Sequence, residues 1–198
     1  MMLDQIVATR EQQPVPESID PQTISACQQG DRKALRVLFE KYNDRVYSIA
    51  LYSLSGDEAA AADVTQQVFL KLMTRINQFR GDSEFATWLY RLVINTCHDE
   101  HRKRRRFVGL TEFFLKPAAV SESPRARYAR RELSDRVQSA IVELKPKLRW
   151  PILLKYVEGM SYDEIATVLS CSKGTVASRL NRAHKTLARR LSYLKDQI

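Results

Sequence analysis

Apolar residues recur at intervals of three and four along most of this chain, and no other feature of the sequence restricts its fold as strongly. This interval is the period of one face of an α-helix, whereas half-buried strands alternate apolar and polar residues. The first clear stripe, between Asp31 and Gly56, consists of Leu35, Leu38, Phe39, Tyr42, Val46, Ile49 and Ala50. The next stripe, after Asp57, consists of Ala61, Val64, Val68, Leu72 and Ile76. Since no segment alternates, the pattern predicts an all-α protein.

The first helices of the chain follow one another closely enough to belong to one domain. Asp20 suits the N-cap of a short helix that precedes the two longer stripes. A later helix begins near Ser83 or Glu84, and its apolar face consists of Phe85, Leu89, Leu92 and Val93. Short connections between such helices predict a compact helical domain over residues 21–106, preceded by an N-terminal tail of residues 1–20.

The helical period fails between residues 107 and 130, which marks a second boundary. Pro117, Pro124 and the serines between them indicate a flexible linker. Residues 131–198 then resume the helical pattern, and the first stripe of this segment consists of Leu133, Val137, Ile141 and Leu144. Pro146 interrupts it. The sequence therefore predicts two small helical domains joined by a linker.

The charge of the chain indicates a polyanionic partner. The formal net charge is +9, and the excess lies after residue 80, because residues 1–80 hold 9 basic and 10 acidic side chains. DNA, RNA and an anionic membrane are the candidate polyanions. No apolar run approaches the roughly 20 residues that span a bilayer, and the first residues lack the order of a signal peptide. We expect a cytoplasmic protein without membrane insertion.

The sequence offers little for metal or catalytic chemistry. Its three cysteines are far apart and odd in number, which argues for reduced thiols. Cys97, His98 and His101 lie close together, but no second ligand pair follows at the spacing of a zinc finger. A DNA enzyme would need a nucleophile with a base, or clustered carboxylates that hold a metal. We therefore expect no metal, no cofactor, no catalytic residues and no enzymatic activity.

Two short helices near the C-terminus form the sharpest local pattern. Ser161 and Glu164 have the spacing of a capping box that opens the first of them. A tight turn follows, and Ser172 suits the N-cap of the second, which is rich in basic residues. Such a pair joined by three or four residues is typical of a helix-turn-helix. The C-terminal domain is therefore predicted to bind DNA.

Projection of that second helix separates a core face from a DNA face. At 100° per residue the apolar face consists of Val176, Leu180, Ala183, Leu187 and Leu191. The opposite face consists of Ser178, Asn181, Arg182 and Lys185, with Thr175 and Arg179 at the side. Those side chains suit contacts with guanine, adenine and phosphate. Gly174 and Thr175 suit a first turn that approaches the phosphate backbone. The alternative interpretation is a solvated basic face.

The N-terminal domain carries a second nucleic-acid signal. Trp88, Arg91 and Asn95 share one side of a helix, beside a loop with Phe79 and Arg80. Aromatic, basic and amide side chains together suit stacking on unpaired bases and binding of phosphates. The run of five cations that follows, expected to contact the sugar-phosphate chain, consists of Arg102, Lys103, Arg104, Arg105 and Arg106. The alternatives are a core role for Trp88 and a solvated charge run.

Three segments in order resemble a known family. They read DVTQQVFLKL, FRGDSEFATWLYRLVINTCHD and EGMSYDEIATVLSCSKGTVASRLNRAHKTL. This combination is similar to bacterial sigma factors of the extracytoplasmic-function group over about residues 22 to 195. The resemblance implies sigma regions 2 and 4 joined by a flexible linker, binding to core RNA polymerase, promoter recognition and promoter melting, with no catalytic chemistry. An anti-sigma factor is a further expected partner.

The resemblance also implies three sets of site residues. The surface that docks on the largest polymerase subunit comprises Asp63, Gln66, Gln67 and Phe69, and Phe69, off the apolar stripe, is expected to be exposed. The reader of the minus-ten element, which captures a flipped base, comprises Phe79, Arg80, Gly81, Asp82, Ser83, Trp88, Arg91 and Asn95, and the charge of Arg102–Arg106 predicts that this run binds DNA beside it. The reader of the minus-thirty-five element comprises Ser178, Arg179, Asn181 and Arg182, and the pattern of the helix itself adds Ser172, Lys173, Gly174, Thr175 and Lys185.

At three positions in or beside these sets, this chain differs from what family members often carry. They more often carry acids where this chain has Ala62 and Gln67, and a basic residue where it has Ala177. A stand-alone helix-turn-helix regulator is the alternative function. It would need a dimerisation or effector domain, and residues 21–106 would then be expected to show a pocket or a symmetric apolar face.

Overall fold

The computed structural model describes residues 19–108 and 137–192. All regular structure in those two ranges is helical, which confirms the predicted fold class. The described helices form two compact units, one on each side of the undescribed segment. The predicted tail (residues 1–20) and linker (residues 107–130) lie almost entirely outside the described ranges, so the predicted domain boundaries remain predictions.

The described part of the first unit contains α1 (Pro21–Gln28), α2 (Arg32–Ser53), α3 (Glu58–Arg75), a 3-10 turn (Ile76–Gln78) and α4 (Phe85–Val108). Each of the first three helices begins at an aspartate whose carboxylate accepts a backbone hydrogen bond at the helix start. These bonds come from Gln22 N to Asp20 (3.1 Å), from Lys33 N to Asp31 (2.8 Å) and from Ala60 N to Asp57 (2.9 Å). The predicted N-cap at Asp20 is therefore confirmed, and the two longer stripes begin directly after Asp31 and Asp57, as their positions in the sequence indicated.

Packing of α2 against α3 and α4 builds the core of this unit. Its most deeply buried side chains include Leu38, Tyr42, Val46, Ile49, Val64, Val68, Leu72, Leu89 and Val93. The predicted stripe of α2 is not fully buried at two positions, because Leu35 is half-buried and Phe39 is 46% exposed. Phe39 lies 100° around the helix from Leu38, at the edge of the buried face, and its ring packs sideways on Phe69 with 4.8 Å between centroids.

The last helix of this unit includes the basic run. α4 continues to Val108, so residues 102–106 belong to the helix instead of following it. Asp99 pairs with Arg102, and Glu100 pairs with Arg104, at spacings of three and four residues. Such pairs stabilise a helix that adjacent like charges would weaken. The side chains of residues 105–108 lie outside the described part of the chain.

The described part of the second unit contains α5 (137–142), α6 (Pro146–Ile152), a π-helical turn (Leu153–Val157), α7 (Tyr162–Val168) and α8 (Lys173–Arg190). Pro146 stands at the start of α6, which confirms the predicted interruption. Pro151 lies inside α6, directly before the π-helical turn, and its missing N–H suits a departure from regular α-helical bonding. The most buried side chains include Leu144, Leu153, Leu154, Ile165, Val176 and Leu180. Within residues 19–108 and 137–192, no helix is long and apolar enough to cross a membrane.

Candidate nucleic-acid interface

The two capping motifs of the C-terminal unit hold α7 and α8 as predicted. Ser161 N donates to Glu164 at 2.7 Å, and Glu164 N donates to Ser161 Oγ at 3.3 Å, which completes a capping box at the start of α7. Thr175 N donates to Ser172 Oγ at 3.2 Å at the start of α8. A short turn, residues 169–172, joins the two helices. This arrangement is a helix-turn-helix.

The faces of α8 also match the projection from the sequence. Val176, Leu180, Ala183, Leu187 and Leu191 are buried, the first four at no more than 1% exposure. Four side chains of the outer face are exposed: Ser178, Asn181, Arg182 and Lys185. Thr175 and Arg179 are half-buried at the edge, as expected. Gly174 is exposed in the first turn, where a Cβ atom in place of its hydrogen would have no neighbour closer than 4.0 Å.

Three side-chain contacts connect α8 to the residues that precede it. Lys173 Nζ lies 2.7 Å from Asp163 Oδ2, an exposed ion pair between the two helices. Arg179 points an N–H at Cys171 Sγ, 3.8 Å away. The hydroxyl of Tyr156 lies 2.9 Å from His184 Nε2, which ties α8 to the preceding π-helical turn. Sequence reasoning missed this last contact, because neither residue stands on an apolar stripe.

Three aromatic rings form a cluster in the first unit, at the start of α4. The centroid of Phe79 lies 5.5 Å from that of Phe85 and 5.8 Å from that of Trp88, and the Phe85 and Trp88 centroids are 5.8 Å apart. Phe85 is buried, whereas Phe79 and Trp88 are half-buried. Trp88 is therefore not a fully buried core residue, and part of its surface is available to a partner.

Polar residues surround this aromatic cluster along the chain. Arg80, Gly81 and Asp82 are exposed in the loop before α4, and Ser83 is half-buried there. Exposed side chains at three- and four-residue steps along α4 continue the side of Trp88, namely Arg91 and Asn95. The structure thus brings a partly open aromatic surface, a cationic loop and a polar helix face into one region.

The loop that carries Phe79 is held from α1, by a residue that the sequence did not single out. Gln28 Nε2 donates to the carbonyl oxygen of Ile76 at 3.1 Å and to that of Phe79 at 3.0 Å. Gln28 lies at the C-terminal end of α1 and is half-buried. A glutamine at a helix end has no distinctive pattern, so only the tertiary structure reveals this contact.

Three cations of the predicted basic run form ion pairs with carboxylates. Arg102 and Lys103 are exposed and pair with Asp99 and Glu100, respectively. Arg104 was expected to be available for DNA, but its guanidinium forms ion pairs with Glu100 at 2.9 Å and with Asp57 at 3.0 Å. Burial lowers the pKa of Arg104, but the two carboxylates outweigh it and raise the pKa overall. Arg104 therefore anchors the end of α4 to the start of α3. The side chains of Arg105 and Arg106 lie outside the described part.

The outer face of α3 differs from the predicted docking surface at one position. Asp63, Gln66 and Gln67 are exposed, but Phe69 is only 8% exposed and packs on Phe39. The expectation of an exposed Phe69 was wrong because position 69 turns toward α2. Leu70 and Met73 are instead 56% and 55% exposed, on the face of Gln66. The sequence does carry a signal of this exposure, because Leu70 lies about 200° around the helix from both Val68 and Leu72 of the apolar stripe.

In α4, Cys97 is committed to packing and His101 to hydrogen bonding. Among the described residues, no group of three histidine, cysteine, aspartate or glutamate side chains could hold a metal ion. Cys97 is fully buried, and burial raises the pKa of its thiol to about 12. His101 Nε2 lies 3.1 Å from the Ser53 carbonyl oxygen. His98 is exposed, and partial desolvation together with the nearby charge of Arg102 lowers its pKa.

Two family models match the chain, one in each unit. The model described as Sigma-70 region 2 matches residues 38–107, which include the outer face of α3 and the aromatic cluster. The model described as Sigma-70, region 4 matches residues 134–187, which include α7 and most of α8.

Similar proteins cover nearly the whole chain. The RNA polymerase sigma-H factor of Pseudomonas aeruginosa is 35% identical over 184 residues, which cover 88% of this chain and 95% of that protein. The ECF RNA polymerase sigma-E factor of Escherichia coli is 34% identical over 178 residues, with 85% and 92% covered. A solved structure of the sigma factor RpoE in complex with the anti-sigma factor NepR, from Bartonella quintana, has a TM-score of 0.69 and 26% identity, and covers 81% of this chain and 98% of that one.

Proposed function

The chain belongs to the extracytoplasmic-function group of RNA polymerase sigma factors, and from this premise we propose which exposed surface performs each step of transcription initiation. As a sigma factor it binds core RNA polymerase and directs it to promoter DNA. Three surfaces carry the proposal: the outer face of α8, the aromatic cluster with its neighbouring loop, and the outer face of α3.

The outer face of α8 reads the minus-thirty-five element in duplex DNA. Asn181 and Arg182 are exposed at its centre and bear donors that suit base edges in the major groove. Ser178 and Lys185 flank them, and Arg179 lies at the edge. Four residues at the start of the helix approach the phosphates through backbone N–H groups, two hydroxyls and the ammonium of the lysine: Ser172, Lys173, Gly174 and Thr175.

The aromatic cluster with its loop reads the minus-ten element as an unpaired strand. Half-burial suits Trp88 to this role, because Phe79 and Phe85 fix its ring while one side remains available for stacking. Arg91 and Asn95 would then contact the strand along α4, and the exposed loop would contact it through Arg80, Gly81, Asp82 and Ser83. Capture of an unpaired base at this cluster favours the melted state.

The basic end of α4 contributes mainly through its exposed cations. Arg102 and Lys103 are paired with carboxylates that phosphates can displace, since all these groups except Glu100 are at least half exposed. Arg105 and Arg106 are proposed to act with them. Arg104 has a supporting role, because Asp57 and Glu100 hold it at the junction with α3.

The outer face of α3 binds core polymerase. Its exposed residues combine a polar set, Asp63, Gln66 and Gln67, with the apolar side chains of Leu70 and Met73. Exposed apolar side chains rimmed by polar ones are typical of a protein interface. Phe69 supports this face from below through its contact with Phe39.

Three further statements complete the proposal. The chain acts without catalytic chemistry of its own and without a cofactor. It works in the cytoplasm, where core polymerase and promoter DNA are found. Because the similar sigma factor of Bartonella quintana was solved with an anti-sigma factor, we expect an anti-sigma factor to bind this chain and to keep it from core polymerase until an inducing signal releases it.

The observation that carries this function is the presence of an exposed helix-turn-helix face in one unit and a half-open tryptophan cluster in the other. The test is transcription in vitro from a genomic library with purified core polymerase. We expect new transcripts that depend on both proteins and whose start sites share two upstream elements. Failure of the chain to bind core polymerase or to add any transcript would contradict the proposal, and core-independent binding to a single operator would favour a stand-alone regulator.

A further inference from the structure

A single side-chain amide joins α1 to the loop that presents the aromatic cluster. The carboxamide of Gln28 has two N–H donors, and its nitrogen contacts the carbonyl oxygens of Ile76 and Phe79 at 3.1 and 3.0 Å. These carbonyls stand at the two ends of the 3-10 turn Ile76–Gln78. Gln28 therefore spans the turn and holds both of its ends.

The two ends of this turn have different surroundings. Ile76 is 2% exposed, so its side chain is already fixed in the core. Phe79 is extended and half-buried, and the residues that follow it, Arg80 to Asp82, are exposed. Its N–H donates to the Ile76 carbonyl at 3.0 Å, which closes the turn. The bond from Gln28 to the Phe79 carbonyl is thus a tertiary restraint at the point where the chain leaves the core.

The position of the Phe79 backbone affects the reader of the minus-ten element directly. The ring of Phe79 packs against Trp88 and Phe85, with centroids 5.8 and 5.5 Å apart. A shift of this backbone would move the ring that supports Trp88 and would also redirect the loop. Well-oriented contacts of this kind depend on supporting hydrogen bonds that lock the contacting residues in place.

We propose that Gln28 is a positioning residue for promoter opening, which acts through the Ile76–Phe79 turn to hold the aromatic cluster and its loop in the geometry that captures an unpaired minus-ten base. This inference rests on the function proposed above for the cluster. Gln28 itself contacts no DNA. Its removal should therefore weaken recognition of the unpaired base while the binding of core polymerase stays intact.

The test compares Gln28→Met with a matched control, Gln29→Met. Methionine keeps the length and helix preference of glutamine but has no N–H donor. Gln29 is the exposed neighbour at the end of α1, so the same substitution there controls for the added thioether. Gln28→Glu is a second variant of the same length that also lacks the donor.

The probe is a fork template whose non-template strand is unpaired over the minus-ten bases of a promoter mapped by core-dependent transcription. The full chain, bound to core polymerase, is titrated against this template and against one with the captured base replaced. The measured quantity is the ratio of the two affinities. An inactive or unfolded fraction cancels in this ratio, so a merely structural defect would not change it.

We expect Gln28→Met and Gln28→Glu to reduce this ratio by about tenfold, because without the two hydrogen bonds the Phe79 backbone is no longer held in the geometry that captures the base, while Gln29→Met keeps the ratio of the wild type. An unchanged ratio in both Gln28 variants would overturn the inference and leave the proposed function standing. If the wild-type protein itself does not distinguish the two templates, both the inference and the proposed minus-ten role fail.

Discussion

Arg182 is the exposed guanidinium at the middle of the outer face of α8, and its role can be tested on its own. We expect Arg182→Ala to cost about 1 to 3 kcal/mol of discrimination between the minus-thirty-five element and a random sequence. The physical reason is the loss of a bidentate contact with a base edge. Binding of the variant to both duplexes, measured with core polymerase at one salt concentration, gives the difference.

Arg189→Ala is the matched control, because it removes the same charge from an exposed position two turns further along α8. It should lower affinity for all sequences equally, or not at all. Equal losses on specific and random DNA in Arg182→Ala would assign that residue to phosphate binding instead.

The three thiols should differ strongly in reactivity. Burial raises the pKa of Cys97 to about 12, burial also raises that of Cys27, and both side chains are at most 3% exposed. Cys171 is half-buried in the turn before α8. At pH 8 we expect a thiol reagent to label Cys171 faster than the other two by about two orders of magnitude or more. Rapid labelling that persists in Cys171→Ser would contradict the described packing.

Residue patterns on a single helix predicted burial well, except at the edges of the faces. Val46 and Val64 stand at the centre of their stripes, and both are buried as predicted. Phe39 and Phe69 stand at the edges, and each was assigned the wrong exposure. Which edge residue is covered depends on how the neighbouring helix crosses, and helix crossing is a tertiary property that periodicity does not contain.

Asp57 combines two functions at the start of α3. Its carboxylate caps the helix through Ala60 N and also binds Arg104 from the end of α4. We expect Asp57→Ala to lower the free energy of unfolding by about 1 to 2 kcal/mol through loss of the cap. Asp57→Asn keeps a good cap and loses only the ion pair, so it should cost less than about 1 kcal/mol. Denaturant unfolding measures both, and equal losses would show that the cap contributes nothing.

The stabilisation from Asp57 should depend on pH in a defined direction. The hydrogen bond from Ala60 N, assisted by Arg104, lowers the pKa of this carboxylate in the folded protein. A lowered pKa stabilises the fold above the unfolded-state pKa, and this contribution disappears as pH falls through the folded-state pKa. The difference in unfolding free energy between wild type and Asp57→Asn should therefore shrink on acidification. A difference that grows as pH falls would contradict the assignment.

Helix starts were more predictable than helix ends. Asp20, Ser161 and Ser172 all cap as expected, because a cap is a contact within a few residues. The continuation of α4 through the basic run was not predicted, because it depends partly on pairs with Asp99, Glu100 and Asp57. The partner of Arg104 on α3 lies 47 residues away in sequence, beyond the reach of local patterns.

Binding to core polymerase involves the whole protein, and we propose that it depends on exposed side chains of α3. We expect Leu70→Asp to weaken binding to core polymerase by about tenfold or more, because a charge would replace an apolar contact at the centre of the interface. The free energy of unfolding should hardly change, since Leu70 is 56% exposed. Titration of labelled core polymerase measures the affinity.

Val37→Asp is the control, because Val37 is an apolar side chain of α2 that is 48% exposed and lies on the other side of the helix from Phe39. It introduces the same charge and should leave core affinity unchanged. If both variants bind core polymerase as the wild type does, the outer face of α3 is not the docking surface.

The central claim for the whole molecule is that the unit with the helix-turn-helix binds duplex DNA, while the unit with the aromatic cluster opens it. Permanganate reactivity of minus-ten thymines on one mapped promoter, with wild type and Trp88→Ala bound to core polymerase, tests this claim most directly. We predict that Trp88→Ala forms the closed complex but shows about tenfold lower thymine reactivity, and that a pre-melted template restores transcription. Wild-type reactivity in Trp88→Ala, on the intact duplex and at equal occupancy, would contradict the account.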